Sequence, residues 1–169
     1  MKRPILALAI LLAALPAPSK ISPDQTASPM QMVSAVTDDE LRAIVATTNL
    51  PGEKISVKEE KDAEGLTAYY VYEGESILLA LYQYTDKPGG PTTSLGLSVG
   101  NRLARAADIR KINDWNAKTR YVKAYVDSEG DAMLTSDLLL SPGVTKLTIQ
   151  EWIKMFARFS HEFTDYLKP

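Results

Sequence analysis

Ile112 to Leu140 reads INDWNAKTRYVKAYVDSEGDAMLTSDLLL, and its periodicity changes partway along. Ile112 and Trp115 or Asn116 stand at helical spacing and mark the buried side of a helix end. Tyr121 to Val126 then alternates large and small residues, the period of a strand. Asp127-Ser128-Glu129-Gly130-Asp131 is an acidic turn in which Gly130 can take the left-handed backbone. Ala132 to Leu140 returns as a second strand. A helix end, a short crossing and an antiparallel hairpin therefore lie within one stretch.

Upstream, Thr37-Asp38-Asp39-Glu40 has the pattern of a capping box, in which threonine and glutamate satisfy each other's backbone amides. Leu41, Ile44, Val45 and Thr48 follow at helical spacing until Pro51-Gly52 stops the helix. Ile55 and Val57 open a strand region. Lys61 to Gly65 is a turn, and Leu66 to Tyr72 alternates again. Gly74 turns the chain once more. Ser76 to Tyr84 is nearly all apolar, which predicts a central strand covered on both faces. After the loop Lys87-Pro88-Gly89-Gly90-Pro91, Thr93 to Val99 predicts a fourth strand, weakened by Gly96. Ala104 to Ala117 predicts the second helix, with Ile109 on its buried side.

Downstream, Ser141-Pro142-Gly143 ends the hairpin and Thr145 or Thr148 caps a last helix. Ile149, Trp152, Ile153, Phe156, Phe159 and Phe163 form its wide apolar stripe. The predicted order is α-β-β-β-(β)-α-β-β-α. This is an α+β fold, an antiparallel sheet of about five to six strands covered by helices.

The 169 residues suit one domain, and a formal charge of −2 gives no electrostatic footprint for nucleic acid. The lack of cysteine excludes disulfides, thiol catalysis and thiolate metal sites. Lys2 and Arg3, the apolar run Ile5 to Leu15 and Pro16-Ala17-Pro18-Ser19 have the three-part layout of a secretory signal peptide, residues 1–17. The run is too short for a good membrane anchor. Residues 18–36 read as a flexible linker in which Met30, Met32 and Val33 could make a minor contact. The domain proper is 37–169, and the expected location is periplasmic or secreted.

No catalytic constellation stands out. His161, the one histidine, lies off the apolar stripe and reads as a solvated helix residue. Asp127, Glu129 and Asp131 share one turn, but glycine stands fourth and Leu138 twelfth, unlike a helix-loop-helix calcium site. Asp137 either faces outward or points inward with Asn116 and Tyr125 as partners. The tyrosines at 69, 70, 72, 82, 84, 121 and 125 concentrate in strands. They read either as core and cross-strand pairs or as an exposed face suited to protein recognition.

Ile112-Asn113-Asp114-Trp115-Asn116, then Tyr125 to Asp131, then Asp137 to Leu140 and Gly143-Val144-Thr145, resemble the YbjN domain family of bacteria. The resemblance extends over about Thr37 to Leu167 and is specific from Ile112 to Thr145. It implies a fold like that of the type III secretion chaperones, which often form homodimers. Family members have been described as candidate sensory transduction regulators. Most such chaperones act in the cytoplasm, from which the leader here departs. With the tyrosine strands, the resemblance singles out Trp115, Asn116, Tyr125, Asp127, Gly130, Asp131, Asp137, Tyr69 and Tyr82 as motif or partner-contact residues.

The expected function is that of a non-enzymatic exported binding module, chaperone-like or regulatory, holding a protein or peptide partner or a second copy. No cofactor, metal or nucleic acid is implied. The alternative is a small-ligand or carboxylate-based envelope enzyme using Asp127, Asp131 and Asp137, which requires these groups to meet in a pocket.

Overall fold

The computed structural model describes residues 30–61, 65–101 and 108–168. β1 (Met32–Val33) leads into α1 (Asp38–Thr47). The strands β2 (Ile55–Lys61), β3 (Thr67–Glu73), β4 (Ser76–Thr85) and β5 (Thr92–Asn101) follow. Then come α2 (Ile109–Lys118), β6 (Lys123–Val126), β7 (Ala132–Leu139), β8 (Val144–Thr145) and α3 (Lys146–Leu167).

Six strands form one antiparallel sheet in the order β2-β3-β4-β5-β7-β6, while β1 and β8 pair separately. Short turns dictate most of this order. After β5 the chain passes through α2 to the far edge, and β7 then fills the place between β6 and β5. Gly130 takes φ 86° in the hairpin turn. Asp127 builds that turn by accepting the backbone N–H groups of Glu129 and Asp131, both at 2.9 Å, on Oδ1.

Register assigns the two sheet faces, because partners in a ladder point to the same side and neighbours along a strand to opposite sides. Tyr69 and Val71 pair with Leu81 and Leu79. Leu81 pairs with Leu97 and Gln83 with Leu95. Leu97 pairs with Ser136 and Val99 with Leu134. These residues are buried or partly buried, and with Ile149, Ile153, Phe156 and Phe163 of α3 they make the core. α3, 22 residues long, spans about 33 Å at 1.5 Å per residue, enough to cross the sheet. The Trp152 indole N–H donates to Ser136 Oγ at 2.9 Å, and that hydroxyl donates to the Tyr121 carbonyl at 2.8 Å. α1 closes the same face beside β2, where Arg42 makes a two-pronged contact with Glu59 at 2.9 and 3.0 Å.

The capping box forms as expected: Thr37 Oγ1 accepts from the Glu40 amide at 3.3 Å, and Glu40 accepts from the Thr37 amide at 3.0 Å. Thr145 rather than Thr148 caps α3. Several expectations need correction. The described part of α2 begins at Ile109 behind an Asp108 cap, and Ile109 is exposed, so the buried side is Ile112 and Trp115. The expected helix start, Ala104, and the turn residues Asp62 to Glu64 lie outside the described residues. β4 is central but not covered on both faces, since Tyr84 is exposed and Tyr82 half-buried. The end of the expected linker makes more than a minor contact: Met32 and Val33 pair with Thr145 and Val144, and Val36 bridges Thr92 and is buried.

Candidate interaction surface

The face of the sheet opposite the helices carries the side chains left over from the core. Tyr70 and Tyr72 follow Tyr69 and Val71 with the other parity. Tyr82 and Tyr84 alternate with Leu81 and Gln83, and Tyr125 pairs with Met133. Five tyrosines therefore lie on this one side, and no described helix covers it. Tyr84 is 50% and Tyr125 41% exposed. Tyr70 and Tyr82 meet edge to face, with ring centroids 6.3 Å apart, a favoured aromatic geometry. Lys58 Nζ sits 4.7 Å from the centre of the Tyr72 ring.

Between the rings the floor is small. Ser94, Gly96, Ser98 and Gly100 of β5 point to this side by register with Tyr84, Tyr82, Ala80 and Met133. Tyr84 packs closely over Gly96: a Cβ at that position would meet Tyr84 Cε2 at 2.8 Å, so the ring would have to shift to admit one. Met133 likewise lies over Gly100, its sulfur 3.0 Å from the place of a Cβ. Asp137 pairs with Gly96 and is exposed. The Tyr84 phenol is held above its ordinary value first by burial, then by the negative charge of Asp137 and by Tyr82 and Tyr125 beside it. Tyr70 is raised first by hydrogen bonding to the Tyr82 side chain and then by burial.

The residues singled out from sequence divide into three groups. Tyr82, Tyr125 and Asp137 come together on the open face. Trp115, Asn116 and Tyr69 do not. Tyr69 is fully buried and donates its hydroxyl to the Asp38 carbonyl at 3.1 Å, so it is no partner contact. Trp115 packs against Phe159, Phe163 and Tyr166 in the core. Its buried indole nitrogen has no acceptor among the described residues. Asn116 is not a partner of Asp137. Its side-chain amide donates to the Ala124 carbonyl at 2.9 Å and accepts from the Ala124 amide at 2.8 Å, tying α2 to β6. Asp127, Gly130 and Asp131 form the third group, the hairpin turn. Asp131 precedes Asp137 by six positions, about 20 Å along an extended strand, so these carboxylates do not gather.

Two clusters escaped sequence reasoning. Asp38 accepts hydrogen bonds from Gln83 at 2.7 Å, Thr67 at 2.7 Å and Lys61 at 3.1 Å. Burial alone would raise its pKa, but these partners outweigh it and bring it to about 2. His161 is not merely solvated: its Nε2 lies 2.8 Å from Glu73 Oε2. The pair borders a cavity of about 430 Å³ with Ser76 and Thr164. Long separation in the chain hides both. The tyrosine face was legible in part, because i, i+2 tyrosines share a face once the core parity is known.

Fold and surface together define a class: an α+β protein whose antiparallel sheet is packed with helices on one side and presents aromatic side chains on the other. The chain belongs to the YbjN family, described as "Putative bacterial sensory transduction regulator", whose model matches residues 37–169. Its fold is similar to that in the "Crystal structure of YbjN, a putative transcription regulator from E. coli", at 16% identity and TM-score 0.48, over 79% of this chain and 92% of that one. No curated protein matches the chain.

Proposed function

We propose that the protein is a non-enzymatic, exported binding module that holds a peptide or protein partner against its tyrosine face, in a chaperone-like or regulatory role. The observation that carries this reading is the concentration of Tyr70, Tyr72, Tyr82, Tyr84 and Tyr125 on the helix-free side of the sheet. Tyrosine offers large apolar area with a polar tip and little rotamer freedom to lose, which suits recognition. The regulator description of the family is in keeping with a protein that acts by binding. The leader-like segment supports export to the periplasm, and no described helix is long and apolar enough to cross a membrane.

In-cell cross-linking followed by affinity capture tests the reading, with Tyr82→Ser/Tyr84→Ser as the paired control. A reproducible partner lost in the control is the expected result. A partner retained by the control refutes the face as the site. Self-cross-links alone would assign the face to a second copy.

A further inference from the structure

By register the open face carries two carboxylates, Glu60 on β2 and Asp137 on β7, and neither makes a hydrogen bond or ion pair among the described residues. Glu59 has Arg42, and Glu73 has His161 and the Glu53 amide. Asp137 is exposed on a face of aromatic rings and makes no hydrogen bond or ion pair among the described residues. The position above Gly96 shows how the groups converge. The point where a Cβ would sit is 2.8 Å from Tyr84 Cε2, 3.1 Å from the Tyr84 hydroxyl and 3.4 Å from Asp137 Oδ1. A phenol edge, a phenol oxygen and a carboxylate oxygen thus border one spot on the floor. Tyr82 occupies the same cross-strand row as Gly96 and Asp137. Tyr125 stands on the far side, within electrostatic range of Tyr84. Lys123, paired with Thr135 two positions from Asp137, shares this face and forms no ion pair with it.

We infer that Asp137, Tyr84 and the flanking Tyr82 and Tyr125 rings form a seat for a guanidinium group, brought by an arginine side chain of the extended peptide that this face holds. The inference rests on the reading of the face as a peptide-binding surface and names the chemistry that surface selects. A carboxylate beside aromatic rings favours a cation through both charge and ring quadrupole, and Asp137 differs from Glu60, the other carboxylate of this face, in having the Tyr84 ring and hydroxyl beside it over Gly96. Guanidinium fits better than ammonium because it is planar, stacks on a ring, sheds water more readily and can bond a carboxylate with two N–H groups. The Tyr84 ring already lies over Gly96, so a flat group would stack on the exposed side of that ring rather than on the floor. Lys123 opposes any cation here, so its charge works against the site.

The test is NMR titration of the purified protein with acetyl-Gly-Gly-Arg-Gly-Gly-amide and its citrulline counterpart, the neutral isostere. The arginine peptide should shift the Gly96, Asp137 and tyrosine-ring signals, and citrulline should weaken binding about tenfold. Asp137→Asn, which leaves the core untouched, should do the same, and Lys123→Gln should tighten binding by a few fold. Equal binding of both peptides, or binding unchanged in Asp137→Asn, overturns the guanidinium seat while leaving the face as a peptide site. Absence of shifts on this face up to about 10 mM arginine peptide also overturns it. The larger reading is then judged separately by the capture experiment. A lysine peptide binding as tightly as the arginine one would reduce the seat to a simple charge site and remove the claim for guanidinium.

Discussion

At the scale of single residues, parity along a strand decides role more than residue type does. Tyr69 and Tyr70 are neighbours, yet Tyr69 is core and Tyr70 faces outward. Tyr69→Ser should therefore destabilise by about 3–5 kcal/mol, as for the loss of a large buried aromatic. Tyr84→Ser should stay within about 0.5 kcal/mol, as exposed positions do. Urea denaturation of both variants separates the two roles. Asn116 is a polar residue with a structural job, and Asn116→Ala leaves an amide and a carbonyl of Ala124 without partners. A loss of about 1–3 kcal/mol follows, again read from the urea midpoint. Asp38 gives a pH dependence whose sign is fixed by its depressed pKa. Its contribution is fully present above the ordinary value of 3.8 and is lost as pH falls toward about 2. The stability gap between the native chain and Asp38→Asn should narrow across that window and stay flat from pH 5 to 7, as followed by urea midpoints at each pH.

At the scale of elements, α3 holds the sheet by its apolar stripe, and the alternation of the strands against it leaves the other face free. Phe156 lies fully buried near the middle of that helix. Phe156→Ala should cost about 3–5 kcal/mol and lower the thermal midpoint, whereas changes on the tyrosine face should not. The sheet edges differ in how they avoid pairing with other chains. β2 exposes the charged run Lys58, Glu59, Glu60 and Lys61, and β6 is only four residues long. Charged or short edges discourage strand addition, which is in keeping with the proposed use of the open face.

At the scale of the whole molecule, the domain extends ahead of its first helix. Val33 and Val36 are buried, and Met32–Val33 adds a small ribbon beside the start of α3. A chain beginning at Thr37 should be less stable than one beginning at Met30 by about 3 kcal/mol, from the burial of Val33 and Val36 that the shorter chain lacks. Calorimetry of the two versions checks this. The family match starts at residue 37, so Met32–Val33, one strand of this ribbon, precedes the matched region while its partner Val144–Thr145 lies within it.

The α+β class, the element order, the capping box and the family were all readable from local pattern. Periods of two and 3.6, glycine turns and the motif residues around Trp115 and Gly130 depend on neighbours close in the chain, which a sequence displays directly. The apolar stripe of α3 was legible for the same reason. What local pattern could not assign was the side on which each tyrosine would stand. That depended on which parity of β3 and β4 met α3, a long-range choice made when Leu79, Leu81 and Val71 packed against the helices. The same holds for Asp38 with Gln83, for His161 with Glu73, and for Asp137 beside Tyr84. Each joins residues far apart in the chain whose meeting is set by strand register. Hydrophobic burial selected that register, and only the tertiary structure decided that the remaining tyrosines would share one open face with Asp137 and Glu60.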